Sequence, residues 1–131
     1  MPVVVPADAD KVVVDYLYDL MPKLTETKGW KVGTRITSGQ NPTNFVQVKT
    51  IGGGDEQIVA SRPRVDVRVW ADGTINTEGQ RKRVARMLLA CLQKRFRCKV
   101  FAAPIDVPDP ANDSREITLF TVELILRGTQ L

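Results

Sequence analysis

Chemistry in this chain would have to come from lysine, carboxylates or thiols, because there is no histidine. That removes the commonest general base, the commonest zinc ligand and the Ser-His and Cys-His pairs. No cluster of carboxylates or lysines with catalytic spacing takes its place. The two thiols, Cys91 and Cys98, fit neither a CxxC motif nor a disulfide framework. They read as reduced residues in or near a core, in a reducing compartment. One glycine run, Gly52-Gly53-Gly54-Asp55-Glu56, has the look of a phosphate cradle. A P-loop needs Gly-Lys-Ser/Thr and then a helix. Here two carboxylates follow, which repel phosphate, and then a strand, so the run reads as a loop between strands. The expectation is a protein without enzymatic activity, with no catalytic residue, no metal site and no cofactor.

Charge is the other resource. The chain carries 19 basic and 15 acidic residues, a net charge of +4, and the distribution matters more than the sum. From Arg81 to Lys99 there are eight basic residues and no acidic one: Arg81, Lys82, Arg83, Arg86, Lys94, Arg95, Arg97 and Lys99. Uncompensated charges at this density repel one another and favour a counter-surface, either phosphates or an acidic protein face. The plainer reading is a solvated helix face. Near the N-terminus Asp8, Asp10, Asp15 and Asp19 are offset only by Lys11. This acidic face and the basic one meet between subunits, or they are neighbours within one subunit. Contact between subunits would steer assembly more than it would add affinity.

These side chains are positioned by a simple series of elements. Asp8 can cap a first helix whose Val13, Tyr16, Leu17, Leu20 and Leu24 share one face, with Lys11, Asp15, Tyr18 and Asp19 opposite. Pro22 makes Met21 a poor helical residue, so that helix ends near there. Trp30 to Ile36 and Phe45 to Ile51 read as strands. Arg64 to Trp70 is the clearest strand, with Val65, Val67 and Val69 alternating with Arg64, Asp66 and Arg68. One of its faces is apolar and meets helices. The other is charged and meets water or a partner. Thr74 or Asn76 can cap a second helix running to about Lys94, with Val84, Met87, Leu88, Cys91 and Leu92 as its apolar stripe and Arg83, Arg86 and Lys94 opposite. Arg97 to Ala103 and Glu116 to Arg127 complete the order α-β-β-β-α-β-β. The last strand's imperfect alternation points to a central strand or a bulge.

The fold class is therefore α+β: a mixed, mainly antiparallel sheet with two amphipathic helices packed on one face. At 131 residues the chain fits a single domain, residues 1–131, with loops at 52–62 and 104–114. No apolar run approaches the roughly 20 residues of a membrane helix, and the N-terminus lacks the basic region of a signal peptide. Most of the eight aromatic residues, four Phe, two Trp and two Tyr, sit where a core would use them. They are not interleaved with basic residues as in single-strand binders.

Three segments together resemble a known family. Arg-Pro-Arg-Val-Asp-Val-Arg-Val-Trp (Arg62 to Trp70) precedes a short turn. The basic amphipathic helix then begins Arg81-Lys82-Arg83-Val84-Ala85-Arg86-Met87-Leu88-Leu89. A late strand reads Phe120-Thr121-Val122-Glu123-Leu124-Ile125-Leu126-Arg127. In length and element order this resembles the tail terminator proteins of long-tailed bacteriophages, including those of the lambda type and those infecting actinobacteria. The resemblance implies a structural virion protein that forms a hexameric ring at the head-proximal end of the tail. The ring would cap the tail tube, stop its polymerisation and join the tail to the head connector. Its partners would be further copies of itself, the tail tube protein, the head-tail connector protein and phage DNA passing through the lumen without sequence recognition. Assembly would take place in the host bacterial cytoplasm, with no membrane. Surface residues expected to face a neighbour or the lumen are Arg64, Asp66 and Arg68 on the sheet, Arg83, Arg86 and Lys94 on the second helix, and Asp15 and Asp19 on the first. The alternatives are another phage neck or tail-tube component, or a DNA-binding module using the basic second helix.

Overall fold

The computed structural model describes residues 4–5, 8–35, 44–53, 60–71, 77–109, 112–127 and 129–130. The chain runs β1 (Val4–Val5), α1 (Ala9–Leu20), β2 (Lys31–Gly33), β3 (Phe45–Gly53), β4 (Ala60–Ser61) and β5 (Pro63–Trp70). It continues with α2 (Thr77–Arg95), β6 (Cys98–Asp109), β7 (Asn112–Leu124), β8 (Leu126–Arg127) and β9 (Thr129–Gln130). Five strands form one sheet in the order β2-β3-β5-β7-β6. Only the β2–β3 pair is parallel; the other three pairs are antiparallel. The short strands make two small ribbons, β1 with β9 and β4 with β8. The fold is α+β as the pattern predicts, and the five sheet strands and two helices follow the expected order.

Helix α1 begins where its cap allows. Asp8 is extended, and its carboxylate accepts the Lys11 backbone N–H at 3.2 Å, satisfying one of the donors a helix start leaves open. Pro22 cannot continue the ladder, so the chain tightens into a 3₁₀ turn at Met21–Lys23. Val13, Leu17 and Met21 are fully buried, a spacing of four that puts them on one stripe. In α2 the buried stripe is Val84, Ala85, Leu88 and Leu92, with Met87 and Cys91 at its margin.

Both stripes rest on one face of the sheet, built from Val46 and Val48 of β3, Val65, Val67 and Val69 of β5, and Phe120, Val122 and Leu124 of β7. The register makes these neighbours: Val67 lies opposite both Val48 and Phe120, and Val65 opposite Val122. Each valine held in such a core contributes about 1.5 to 3 kcal/mol over leaving it in water. Helix α1 is also tied down by a polar bond. Asp10 Oδ1 accepts the Thr50 backbone N–H at 2.7 Å and the Thr50 hydroxyl at 2.6 Å. Asp10→Ala strands both donors between helix and strand. The expected loss is about 1 to 3 kcal/mol, read as a lower urea midpoint at unchanged slope; a change below about 0.5 kcal/mol would mean that water replaces the carboxylate at no cost.

Several expected elements are corrected. The strand expected over Trp30 to Ile36 is limited to Lys31–Gly33 among the described residues. Of the loop expected at 104–114, residues 104–109 belong instead to β6 and 112–114 to β7, and 110–111 lie outside the described residues. Pro104 and Pro108 sit on an edge strand, the part of a sheet that tolerates a missing N–H. Register shifts between Val100 and Ala102, between Ala102 and Ile105, and between Pro108 and Asp109 accommodate them. The loop expected at 52–62 also shrinks, since β3 extends through Gly53 and β4 occupies Ala60–Ser61; residues 54–59, and the caps expected at Thr74 or Asn76, lie outside the described residues. The last strand is interrupted at Ile125, whose N–H turns to the Arg97 carbonyl at 2.9 Å. Strand β7 is otherwise central, between β5 and β6, as its imperfect alternation suggests.

Candidate functional site

Arg64, Asp66 and Arg68 point away from the helices, as alternation with the buried valines requires. They do not form an open charged row. Asp66 is only 7% exposed. Its Oδ1 accepts the hydroxyl of Thr121, its register partner on β7, at 2.6 Å, and its Oδ2 lies 3.7 Å from Arg68 Nη2. Arg64 Nε lies 3.5 Å from Oε2 of its own register partner, Glu123. The Arg64 guanidinium also covers the Phe101 ring, 4.0 Å from its centroid. Gln47, opposite Arg68 on β3, is buried and donates from Nε2 to the Thr34 carbonyl at 3.2 Å. The face expected to meet water or a partner is thus narrowed: cross-strand pairs engage its charges, while the Arg64 side chain stays 40% exposed and that of Arg68 27%. Near the end of β5 the same face holds a small apolar cluster. Trp70 and Ile117 are each 1% exposed, and Phe45 meets Trp70 edge-on at 6.1 Å.

The basic run of α2 divides into two parts. Arg81, Lys82 and Arg83 are partnered within the chain, against the expectation of eight uncompensated charges. Arg81 is 6% exposed and lies on the inward stripe, with Asp106 at 3.6 Å, Glu116 at 3.8 Å and the Thr118 hydroxyl at 3.4 Å from its Nε. Lys82 Nζ lies 3.3 Å from Asp106 Oδ2. Burial raises the affinity of Asp106 for a proton. The Thr118 hydroxyl, Lys82 and Arg81 together outweigh it and hold the carboxyl below its ordinary value. Arg83 reaches Glu26 at 3.7 Å in the open, a contact worth about 0 to 1 kcal/mol. Arg86 and Lys94 are exposed.

The second part of the run gathers past the end of α2. Lys94, Arg95, Arg97 and Lys99 join Arg62, from the turn between β4 and β5, around a hollow of about 710 Å³ in which Glu123 is the acidic side chain. Cations are favoured at a helix C-terminus by its dipole, which accounts for Lys94 and Arg95; Arg62, Arg97 and Lys99 come from outside the helix.

The acidic face of α1 does not meet α2 within the chain. Asp8 caps, Asp10 holds Thr50, and Asp15 pairs with Lys11 at 2.7 Å on the surface. Asp15 and Asp19 are both exposed. Where the helices do approach, the contact is aromatic: the Tyr16 hydroxyl donates to the Cys91 carbonyl at 3.2 Å, and its ring meets Phe96 edge-on at 5.5 Å. Burial pushes the Cys98 thiol up, which makes it a poor nucleophile near neutral pH. Cys91 and Cys98 are both free. Among the described residues no group of His, Cys, Asp and Glu is placed to hold a metal ion, and no helix is long and apolar enough to cross a membrane.

Two features escape a reading of the sequence. Phe101 and Ile105, on edge strand β6, are 54% and 53% exposed. The bulge after Val100 gives Phe101 no partner of its own on β7. A second hollow of about 610 Å³ lies between the end of α1 and β2, lined mainly by Tyr18, Met21, Pro22, Trp30 and Val32. The exposure of Phe101 follows from a register shift that no sequence pattern announces. Comparison with protein-family models finds no match, and comparison with curated proteins finds none either.

Proposed function

We propose that this chain is a structural assembly subunit of the phage tail terminator kind. In this reading it forms a ring that caps the tail tube, stops its growth and joins it to the head connector. The observation that carries the reading is β6: an edge strand whose Phe101 and Ile105 stand half exposed, with Phe101 against the guanidinium of Arg64. An edge strand that carries exposed apolar side chains invites another chain. The resemblance in element order adds the tail-end role, and Arg86, Lys94, Asp15 and Asp19 supply exposed charge for docking surfaces.

The test is the mass of the purified protein by light scattering across a concentration and salt series, with negative-stain images of the same sample. Closed rings are the expected result. A second reading, a DNA-binding module, is favoured by the basic hollow at the end of α2. It predicts single chains that bind random duplex with an affinity falling steeply with salt, a slope near −0.9 for each phosphate contacted. Single chains with that salt slope would replace the ring reading with the second one.

A further inference from the structure

Cations from separate segments converge at one end of the sheet. Lys94 and Arg95 close α2, Arg97 joins it to β6, Lys99 lies on β6, and Arg62 precedes β5. All five are exposed, and all five line the hollow of about 710 Å³ at the end of α2. Strand register sets this convergence. Glu123 of β7 lies opposite Lys99 on one side and Arg64 on the other. The Ile125 N–H, bonded to the Arg97 carbonyl at 2.9 Å, holds Arg97 beside the end of the same strand.

The charge gathered there is not answered within the chain. Among the described residues, Arg62, Lys94, Arg95, Arg97 and Lys99 form no ion pair with a carboxylate. Glu123, the acidic side chain of the hollow, lies 3.5 Å from Arg64. The end of α2 adds roughly half a negative charge, and the five cations outnumber both. Earlier in the same run, Arg81, Lys82 and Arg83 each meet a carboxylate.

We propose that this hollow binds the phosphates of duplex nucleic acid without reading its sequence. Arg62, Arg95 and Arg97 each offer the planar fork that donates two parallel hydrogen bonds to a phosphate. Unpaired bases find no platform. Phe96, the aromatic residue of the lining, is half-buried and already engaged, by Tyr16 edge-on at 5.5 Å and by the Arg95 guanidinium at 5.2 Å. An acidic protein face fits less well, because the centre of a protein interface is depleted of charge and the centre here is charge. The inference deepens the DNA-binding reading by naming its residues and the groups they hold. The site belongs to a single chain, so it stands whether or not copies close into a ring.

The test is fluorescence anisotropy of a short labelled duplex of random sequence, titrated with full-length protein across a salt series. One variant neutralises the hollow with Arg62→Gln, Arg97→Gln and Lys99→Gln. A control carries Arg83→Gln and Arg86→Gln on the exposed face of α2. Wild-type protein is expected to bind the duplex, with an affinity that falls steeply between about 50 and 200 mM salt. The hollow variant is expected to bind more weakly and to lose about 2.7 from the salt slope, at about 0.9 for each of three phosphate contacts. The control keeps the wild-type slope. Should the triple variant melt early, Lys99→Gln alone is expected to take about 0.9 from the slope. A hollow variant with the wild-type slope, beside a control that has lost slope, overturns the site and leaves the DNA-binding reading standing on the other face of α2. Wild-type protein that leaves the duplex unbound at low salt overturns both, and the ring reading is untouched. Tighter binding of a single strand of the same length, or equally tight binding of poly-glutamate of the same charge, overturns the choice of occupant.

Discussion

Trp70→Ala is expected to lower the unfolding free energy by about 3 to 5 kcal/mol, the range for deleting a large aromatic from a packed interior. The side chain ends β5 on the sheet face away from the helices, yet only 1% of it is exposed. Val69 is paired with Thr118, so Ile117 lies beside Trp70 and shares its burial. The indole N–H donates to Asp109 Oδ2 at 3.0 Å, and Asp109 is itself 2% exposed. Alanine would lose the packing against Ile117 and Phe45 and leave a buried carboxylate with one donor fewer. Trp70→Phe separates the two losses. It keeps much of the apolar volume and removes the N–H, so it is expected to cost about 1 to 3 kcal/mol. Denaturant unfolding followed by circular dichroism is the measurement, since Trp30 would confuse a fluorescence signal. A loss below about 1 kcal/mol for the alanine variant would show that this second apolar cluster does not support the sheet.

That cluster marks a boundary in what the sequence discloses. The helix-facing side of the sheet is legible because Val65, Val67 and Val69 alternate without exception and α1 has a cap, a stripe and a proline stop. The opposite side is not, because the environment of Asp66 depends on Thr121, a residue far along the chain that only the β5–β7 register brings opposite. An arginine, an aspartate and another arginine between valines look alike whether water or a cross-strand hydroxyl answers them. The β6–β7 hairpin is obscured in a similar way. Pro104 and Pro108 are strong loop signals, and they lose that meaning only on an edge strand with irregular register. As for the candidate surfaces, the exposure of Arg83, Arg86, Lys94, Asp15 and Asp19 follows from helical spacing alone. The exposure of Phe101 does not, because it takes a bulge to lift it out of the ladder.

Arg81 is the case in which position on a helix and residue type point in opposite directions. Its spacing to Ala85, Leu88 and Leu92 places it on the inward stripe of α2, while its charge places it in water. The conflict is resolved by the β6–β7 hairpin, which brings Asp106, Glu116 and Thr118 to meet the guanidinium. Removing one partner of a buried ion pair costs about 3 to 5 kcal/mol. Arg81→Ala is expected near 3, because Lys82 remains 3.3 Å from Asp106. The same group sets an acid limit. Asp106 has its folded value depressed below 3.8, so its contribution is fully present above the unfolded carboxylate value of about 3.9 and is lost as pH falls through the lower folded value. Stability should therefore decline below about pH 4. In Asp106→Asn that part of the decline should disappear, because the residue no longer takes up a proton. The Arg81→Ala variant should keep a smaller decline, since Thr118 and Lys82 still favour the carboxylate. Denaturant midpoints measured from pH 2 to pH 7 for the three proteins decide the matter. An acid limb of equal depth in Asp106→Asn would place the proton uptake on other carboxylates. A loss below about 1 kcal/mol in Arg81→Ala would mean that the guanidinium's desolvation cancels what its three partners return.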